Sequence, residues 1–114
     1  MRKLLLTRDS VSMGDDVADN SLEIEVNEDW KIGEILNEVL RINYLPQIWG
    51  GKATWSVAFN SPLAIIAQQW KRPKIINSDF PYSNTNKYKD FNRLHFTYHT
   101  QKDPDIVYES MSRI

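Results

Sequence analysis

Residues 22–42 read LEIEVNEDWKIGEILNEVLRI and contain the clearest change from strand to helix periodicity in the chain. The first five of these residues alternate between apolar and acidic side chains, which is typical of a strand with one face in the core and one in water. From Ile32 the apolar residues recur at i, i+3, i+4, i+7 and i+8, which is one face of a helix. We therefore predict a strand at 22–26 and a helix over Trp30–Ile42, with Asp29 as its N-terminal cap.

Strand patterns lie on both sides of this stretch. One precedes it at 4–7, and three follow it, at 54–59, 63–70 and 94–99. A last helix is predicted at Asp103–Ile114, because Asp103 can cap it and proline suits the first helical position. The order β-β-α-β-β-β indicates one α+β domain over residues 1–114 with a β-grasp (ubiquitin-like) fold. We expect a mixed sheet of about five strands, crossed by one helix, with the first and last strands as central neighbours.

Composition narrows the class of protein. The chain has 114 residues, of which 41% are hydrophobic and 25% charged, values ordinary for a globular domain. The absence of cysteine excludes disulfides, thiolate zinc sites and cysteine nucleophiles. The apolar run Leu4–Leu6 is shorter than a signal peptide requires, and no stretch has the roughly 20 apolar residues of a membrane span. We expect a cytoplasmic protein without a membrane partner.

Charge is distributed unevenly along the chain. Residues 1–50 carry a net charge of −5 and residues 51–114 a net charge of +4. Such an asymmetry can orient a charged partner, although two solvated faces that differ by chance would look the same.

The first long loop, Asp9–Ser21, is the leading candidate for function. It is rich in Asp and Ser and is much longer than an ordinary hairpin connection of two to five residues. Its carboxylates could form local turns, contact a protein or bind a divalent metal; they belong to Asp9, Asp15, Asp16 and Asp19. Their spacing does not fit a calcium-binding loop, and we expect neither a metal nor another cofactor.

Two tryptophans and a basic stretch are further candidates for binding. Trp49 adjoins a Gly-Gly pair, and Trp70 opens the stretch WKRPK, in which Arg72 stands. Tryptophan and arginine are the residues that most often anchor interfaces. Binding of nucleic acid is disfavoured by the near-neutral net charge of −1, and an edge strand guarded by bases is the alternative interpretation of WKRPK. We expect Asp9–Ser21 and Trp49–Gly51 to lie at the same end of the molecule.

The two histidines do not predict catalysis or a metal centre. His95 and His99 alternate with Leu94, Phe96 and Tyr98, which predicts a strand with these three apolar residues on its core side. On a strand the two histidines are rooted about 13 Å apart, too far to share one ion. Ser10 and Ser12 supply hydroxyl groups but lie in no G-x-S-x-G motif, so we predict no catalytic residue.

Five segments stand out along the chain: TRDSV at 7–11, MGDD at 13–16, YLP at 44–46, GGKATW at 50–55 and QW at 69–70. In these segments the chain resembles small uncharacterised bacterial proteins of similar length. The resemblance implies a bacterial origin and a domain that stands alone, and it implies no activity.

These observations favour a non-enzymatic module that binds another protein, such as an accessory or immunity-type protein of bacteria. Its candidate binding residues are Asp9, Asp15, Asp16, Trp49, Trp70 and Arg72. The alternative is a small ligand-binding protein or enzyme that uses the acidic loop Asp9–Asp19. A homo-oligomer is compatible with either function.

Overall fold

The protein is described by a computed structural model that covers residues 1–10, 20–46, 51–78, 80, 91–100 and 102–113. In these ranges the chain forms six strands and two helices. They are β1 (Arg2–Arg8), β2 (Leu22–Val26), α1 (Ile32–Arg41), β3 (Thr54–Phe59), β4 (Ser61–Ala67), β5 (Lys74–Ile75), β6 (Arg93–Tyr98) and α2 (Pro104–Ser112). Neither helix is long and apolar enough to cross a membrane, as far as the described ranges go.

All six strands belong to one mixed sheet with the order β2-β1-β6-β3-β4-β5. β1 and β6 run parallel, with Leu6 opposite Leu94, and every other neighbouring pair is antiparallel. The first and last strands are therefore central neighbours, which confirms that part of the predicted topology.

The number of strands differs from the prediction of about five. The sixth, β5, has only two residues, which pair with Ala64 and Ile65 of β4. A segment of two residues is too short to show a periodicity, so no strand could be predicted there. The predicted strand at 63–70 is also displaced, since Asn60 reverses the chain with a φ of 62° and β4 begins at Ser61.

Helix α1 begins two residues later than predicted, and the expected cap at Asp29 is wrong. Lys31 is the N-cap, and its backbone N–H donates to the Glu34 carboxylate at 3.2 Å. Asp29 lies in a turn instead, where its backbone N–H donates to the side-chain oxygen of Asn27 at 2.8 Å. The helix ends before Asn43, whose φ of 56° leaves the helical region, as expected of a stop signal.

The main core lies between α1 and one side of the sheet, which we call the core face. The buried side chains of α1 are Ile32, Ile35, Leu36 and Val39, and they share one cluster with Leu4, Leu6, Trp55, Val57, Leu94 and Phe96 of the strands. At one end of this core the rings of Phe59, Phe80 and Phe91 contact each other edge-on or tilted, with centroids 4.6 to 6.1 Å apart.

The opposite side of the sheet, which we call the second face, is partly covered by α2. This helix packs against β4 and β3, where Ile65 is fully buried. Asp103 caps α2 by accepting the backbone N–H of Asp105 at 2.9 Å, which confirms the predicted start of the helix. The Lys74 ammonium lies 4.2 Å from the centre of the Tyr108 ring of α2 and 3.9 Å from the Asp105 carboxylate.

Candidate binding site

One end of the sheet, which we call the pocket end, collects most of the candidate residues that the structure describes. The strand directions place the C-terminal ends of β1, β4 and β6 there, together with the start of β3. The C-terminal end of α1 reaches the same place, because the hydroxyl of Tyr44 donates to the carbonyl oxygen of Asn20 at 2.5 Å. The Tyr44 ring also contacts Phe96 edge-on at 5.8 Å.

A pocket of about 200 Å³ opens at this end, between α1 and the ends of β3 and β4. Most of its lining is apolar, and the described lining contains no acidic residue. It consists of Leu40, Asn43, Leu45, Pro46, Ala53, Trp55, Ile66, Ala67, Gln68, Trp70, Arg72 and Pro73. Pockets for drug-sized ligands measure about 300–1,000 Å³, so this one suits a single ring or branched side chain.

A tight turn after β4 places Trp70 and Arg72 on this pocket. The backbone N–H of Trp70 donates to the carbonyl of Ala67 at 3.0 Å, and that of Gln68 donates to the carbonyl of Ala53 at 2.8 Å. The side-chain oxygen of Gln68 accepts the Ala53 N–H in return, at 3.3 Å. The turn is thus bonded to the start of β3, with Trp70 half-buried and Arg72 exposed.

Arg72 and Pro73 form a ridge between this pocket and a second hollow. The second hollow is wider and more open, about 540 Å³. Its other lining residues are Lys31, Ile32, Gly33, Glu34, Asn37, Ile75 and Ser78. Arg72 can therefore reach a molecule bound on either side of the ridge.

The structure brings together two of the six predicted binding residues, Trp70 and Arg72. Asp9 does not line the pocket, and Asp15, Asp16 and Trp49 lie outside the described residues. The residues that adjoin the two predicted contact segments can be placed. Ser10, at the C-terminal end of β1, and Gly51, ahead of β3, both lie at the pocket end.

Asp9 bonds to β6 with both of its carboxylate oxygens. Oδ2 accepts the backbone N–H of Tyr98 at 3.0 Å, and Oδ1 lies 3.1 Å from Nε2 of His95. The backbone N–H of Asp9 donates to the carbonyl of Phe96 at 3.0 Å. Asp9 thus extends the pairing of β1 with β6, which is a structural role.

The second face carries both histidines, as predicted, with His95 in β6 and His99 directly after it, while Leu94 and Phe96 are buried on the core face and Tyr98 packs against it. His95 Nδ1 lies 2.8 Å from the hydroxyl of Thr7. His99 Nε2 lies 2.7 Å from the hydroxyl of Ser56 on β3. Burial lowers the pKa of His99 below its usual value, the charge of Lys102 lowers it further, and Asp9 acts in the opposite direction.

The Ser56–His99 contact has the distance of a nucleophile and its general base. Ser56 is only 6% exposed, however, so the contact is better explained as satisfying a buried hydroxyl. Sequence reasoning considered Ser10 and Ser12 and missed Ser56. The alternation in TWSVAF places Ser56 on the side of β3 that faces away from the core. Its contact with His99 could be found only from the pairing of β3 with β6, in which Ser56 lies opposite Thr97.

Among the described residues, no three His, Asp or Glu side chains are grouped so that they could hold a metal ion. No protein-family model matches the chain, and neither the curated proteins nor the solved structures contain a match to it. The geometry of the pocket end is therefore the basis for assigning a function.

Proposed function

We propose that this chain is a non-enzymatic module that binds another protein through its pocket end. The observation that carries the proposal is the joint position of Trp70 and Arg72 on one mainly apolar pocket. Tryptophan and arginine supply large contact areas and directed hydrogen bonds, and they dominate the binding energy of many interfaces. Half-buried Trp70 and exposed Arg72 bring these two kinds of side chain together on the pocket.

The proposal includes a fold of the β-grasp kind. Its support is the central parallel pair of β1 and β6, flanked by the hairpins β1–β2 and β3–β4, with α1 on the core face. Because one fold supports many functions, this part of the proposal does not identify the partner.

The sheet order places an acidic strand and a basic stretch at opposite edges of the sheet. The acidic β2, with Glu23 and Glu25 exposed, forms one edge of the sheet. The stretch with exposed Lys71, Arg72 and Lys74 lies at the other edge, next to β4. Such a dipole would turn the basic edge and its pocket toward an acidic partner, which favours correct encounters.

The alternative, a ligand-binding protein or enzyme that uses Asp9–Asp19, receives less support. Both oxygens of Asp9 have partners within the protein. A cytoplasmic location, a bacterial origin and an accessory or immunity-type role stay predictions from the sequence.

Capture of partners by the immobilised protein tests the proposal. We expect wild type to retain a partner from a host lysate, and Arg72→Glu and Trp70→Ala each to lose it. Lys3→Glu makes the same charge change as Arg72→Glu at an exposed position of β1 that does not line the pocket, and should retain the partner. If wild type and all three variants are folded and retain the partner equally, the pocket end is not the binding surface.

A further inference from the structure

We infer that the pocket at the pocket end takes one aromatic or branched apolar side chain from an acidic peptide segment, with a flanking carboxylate of that segment paired to Arg72. This inference deepens the proposed function and rests on it. The proposed occupant of the pocket is a peptide segment of the partner protein. The size, the lining and the charge of the pocket support this assignment.

The size and lining of the pocket fit one apolar side chain. Trp55 and Ile66 are opposite each other on β3 and β4, both are buried, and Leu40 of α1 adjoins them in the lining. An apolar protein cavity of about 150 Å³ can hold a benzene ring, so a pocket of about 200 Å³ has room for a phenylalanine or leucine side chain. Apolar groups leaving water for such a pocket would supply most of the binding energy.

The described charged residues that line the pocket or adjoin its lining in the sequence are basic. Arg72 lines the pocket, and exposed Lys71 and Lys52 adjoin the lining residues Arg72 and Ala53. No acid stands among the described lining residues to neutralise them. An arginine side chain can bind a carboxylate with two parallel hydrogen bonds, which fixes the register of a peptide whose apolar side chain is already seated.

An acidic peptide fits these observations better than a nucleic acid. Proteins that bind single strands use a basic groove that follows many phosphates, together with aromatic side chains on which bases stack. Here the basic residues are few, and the whole chain has a net charge of −1 and a pI of about 6.1. Of the two aromatic residues in the lining, Trp55 is buried in the floor of the pocket, and only half-buried Trp70 could stack on a base.

A set of three short peptides separates the apolar contact from the charge contact. The peptides are acetyl-Glu-Phe-Glu-amide, acetyl-Gln-Phe-Gln-amide and acetyl-Glu-Ala-Glu-amide, each titrated into the ¹⁵N-labelled protein while amide shifts are recorded. We expect the first to bind best and to move the amides of Ala53, Gln68 and Arg72. Loss of the charges should weaken binding about fivefold, and loss of the ring should weaken it on the order of thirtyfold.

Two variants and one matched control locate the contacts. Arg72→Gln should abolish the preference for the Glu peptide over the Gln peptide, whereas Lys3→Gln should keep it. Leu45→Trp, at a half-buried position of the lining, should fill the pocket and weaken both phenylalanine peptides. The dispersion of the amide spectrum reports whether each variant is folded, and the Arg72→Gln result decides the question even if Leu45→Trp does not fold.

Several outcomes would overturn the inference. One is equal binding of the phenylalanine and alanine peptides. Another is that the amide shifts are confined to residues away from the pocket. A third is tighter binding of a ten-residue oligothymidylate than of the acidic peptide. If the peptides fail while Arg72→Glu still loses a captured partner, this inference falls and the proposed function stands. If the peptides bind as expected but no protein partner is captured, the pocket stands and the proposed function falls.

Discussion

Phe96 and Thr97 are consecutive residues of β6, and they stand on opposite faces of the sheet with different kinds of partner. Phe96 is fully buried among apolar side chains and contacts the Tyr44 ring. Thr97 is half-buried on the second face, in the row of His95 and His99. On this face polar side chains bond to one another across strands, as Ser56 does with His99 at 2.7 Å.

This contrast shows that the second face is more than a solvated surface. α2 buries the part that includes Ile65, and the adjacent part carries a connected set of polar contacts from Thr7 through His95 to Asp9. The core face is expected to supply most of the stability, since burial of apolar area is the dominant favourable term in folding. The polar contacts of the second face join β1 to β6 and β6 to β3, and each is expected to contribute about 1 kcal/mol or less.

The largest effect is expected on the core face. Phe96→Ala removes a fully buried ring and leaves a cavity, so the free energy of unfolding should fall by about 3–5 kcal/mol. Urea denaturation followed by tryptophan fluorescence measures this loss. Thr97→Ala is the matched control on the neighbouring residue and should cost less than a third as much; equal losses would mean that the two faces are not distinct.

The helix that covers the second face should contribute less. Val107→Ala removes buried apolar surface from α2, and we expect a loss of about 2 kcal/mol in the same denaturation experiment. Ile106 is the adjacent residue and is 62% exposed, so Ile106→Ala should change stability by no more than about 0.5 kcal/mol. If both substitutions have the smaller effect, α2 is not a stabilising part of the domain.

The polar contact between strands should be worth still less. Ser56→Ala deletes the hydroxyl that faces His99 Nε2, and we expect a loss of about 1 kcal/mol, because water can reach the half-buried imidazole and replace part of the bond. In a double-mutant cycle, Ser56→Ala should cost less in the His99→Ala variant than in the wild type. Additive losses would show that the two side chains do not interact.

The smallest effect is the pH dependence that His99 confers. Burial, assisted by Lys102, lowers the pKa of His99 in the folded protein, so the unfolded chain binds the proton more readily. The stabilising contribution of neutral His99 is complete above its ordinary pKa of 6.5 and declines as the pH falls from 6.5 toward the folded value. NMR titration of His99 should therefore give a midpoint below 6.5.

Substitution of the neighbouring charges sharpens this test in both directions. Lys102→Gln should raise the pKa of His99, and Asp9→Asn should lower it, because these two residues act on the imidazole with opposite signs. A midpoint at or above 6.5 in the wild type would contradict the assigned cause, which is burial of the ring.

The sequence predicted the elements with strong periodicity and missed those defined by pairing alone. The periodicity of residues such as Ile32 and Phe96 predicted α1 and the two faces of β6. The start of α2 was predicted from Asp103 and Pro104, and the central pairing of the first and last strands from the order of the elements. The two-residue β5 and the start of β4 were not predicted. A strand of two residues and a one-residue turn at Asn60 depend on pairing with strands that are neighbours only in the folded chain.

The sequence predicted which kinds of residue would form the candidate site, but not where in the fold they would lie. Trp70 and Arg72 were chosen because of their side chains, and their pocket depends on the turn that bonds Gln68 to Ala53 across two strands. Asp9 was chosen because it begins an acidic loop, yet its oxygens serve Tyr98 and His95, which are more than eighty residues away in sequence. Contacts at that separation leave no local signal.

The parallel pairing of β1 with β6 has a consequence for the order in which the protein folds. Thr7 and His95 touch across this pair although 88 positions separate them in the chain. A chain growing on the ribosome can form the hairpins β1–β2 and β3–β4 early. The two hairpins cannot join into one sheet until β6, which pairs with both β1 and β3, has emerged. We expect the nascent protein to expose the unpaired edges of β1 and β3 for most of its synthesis, a period in which a chaperone would protect it from aggregation.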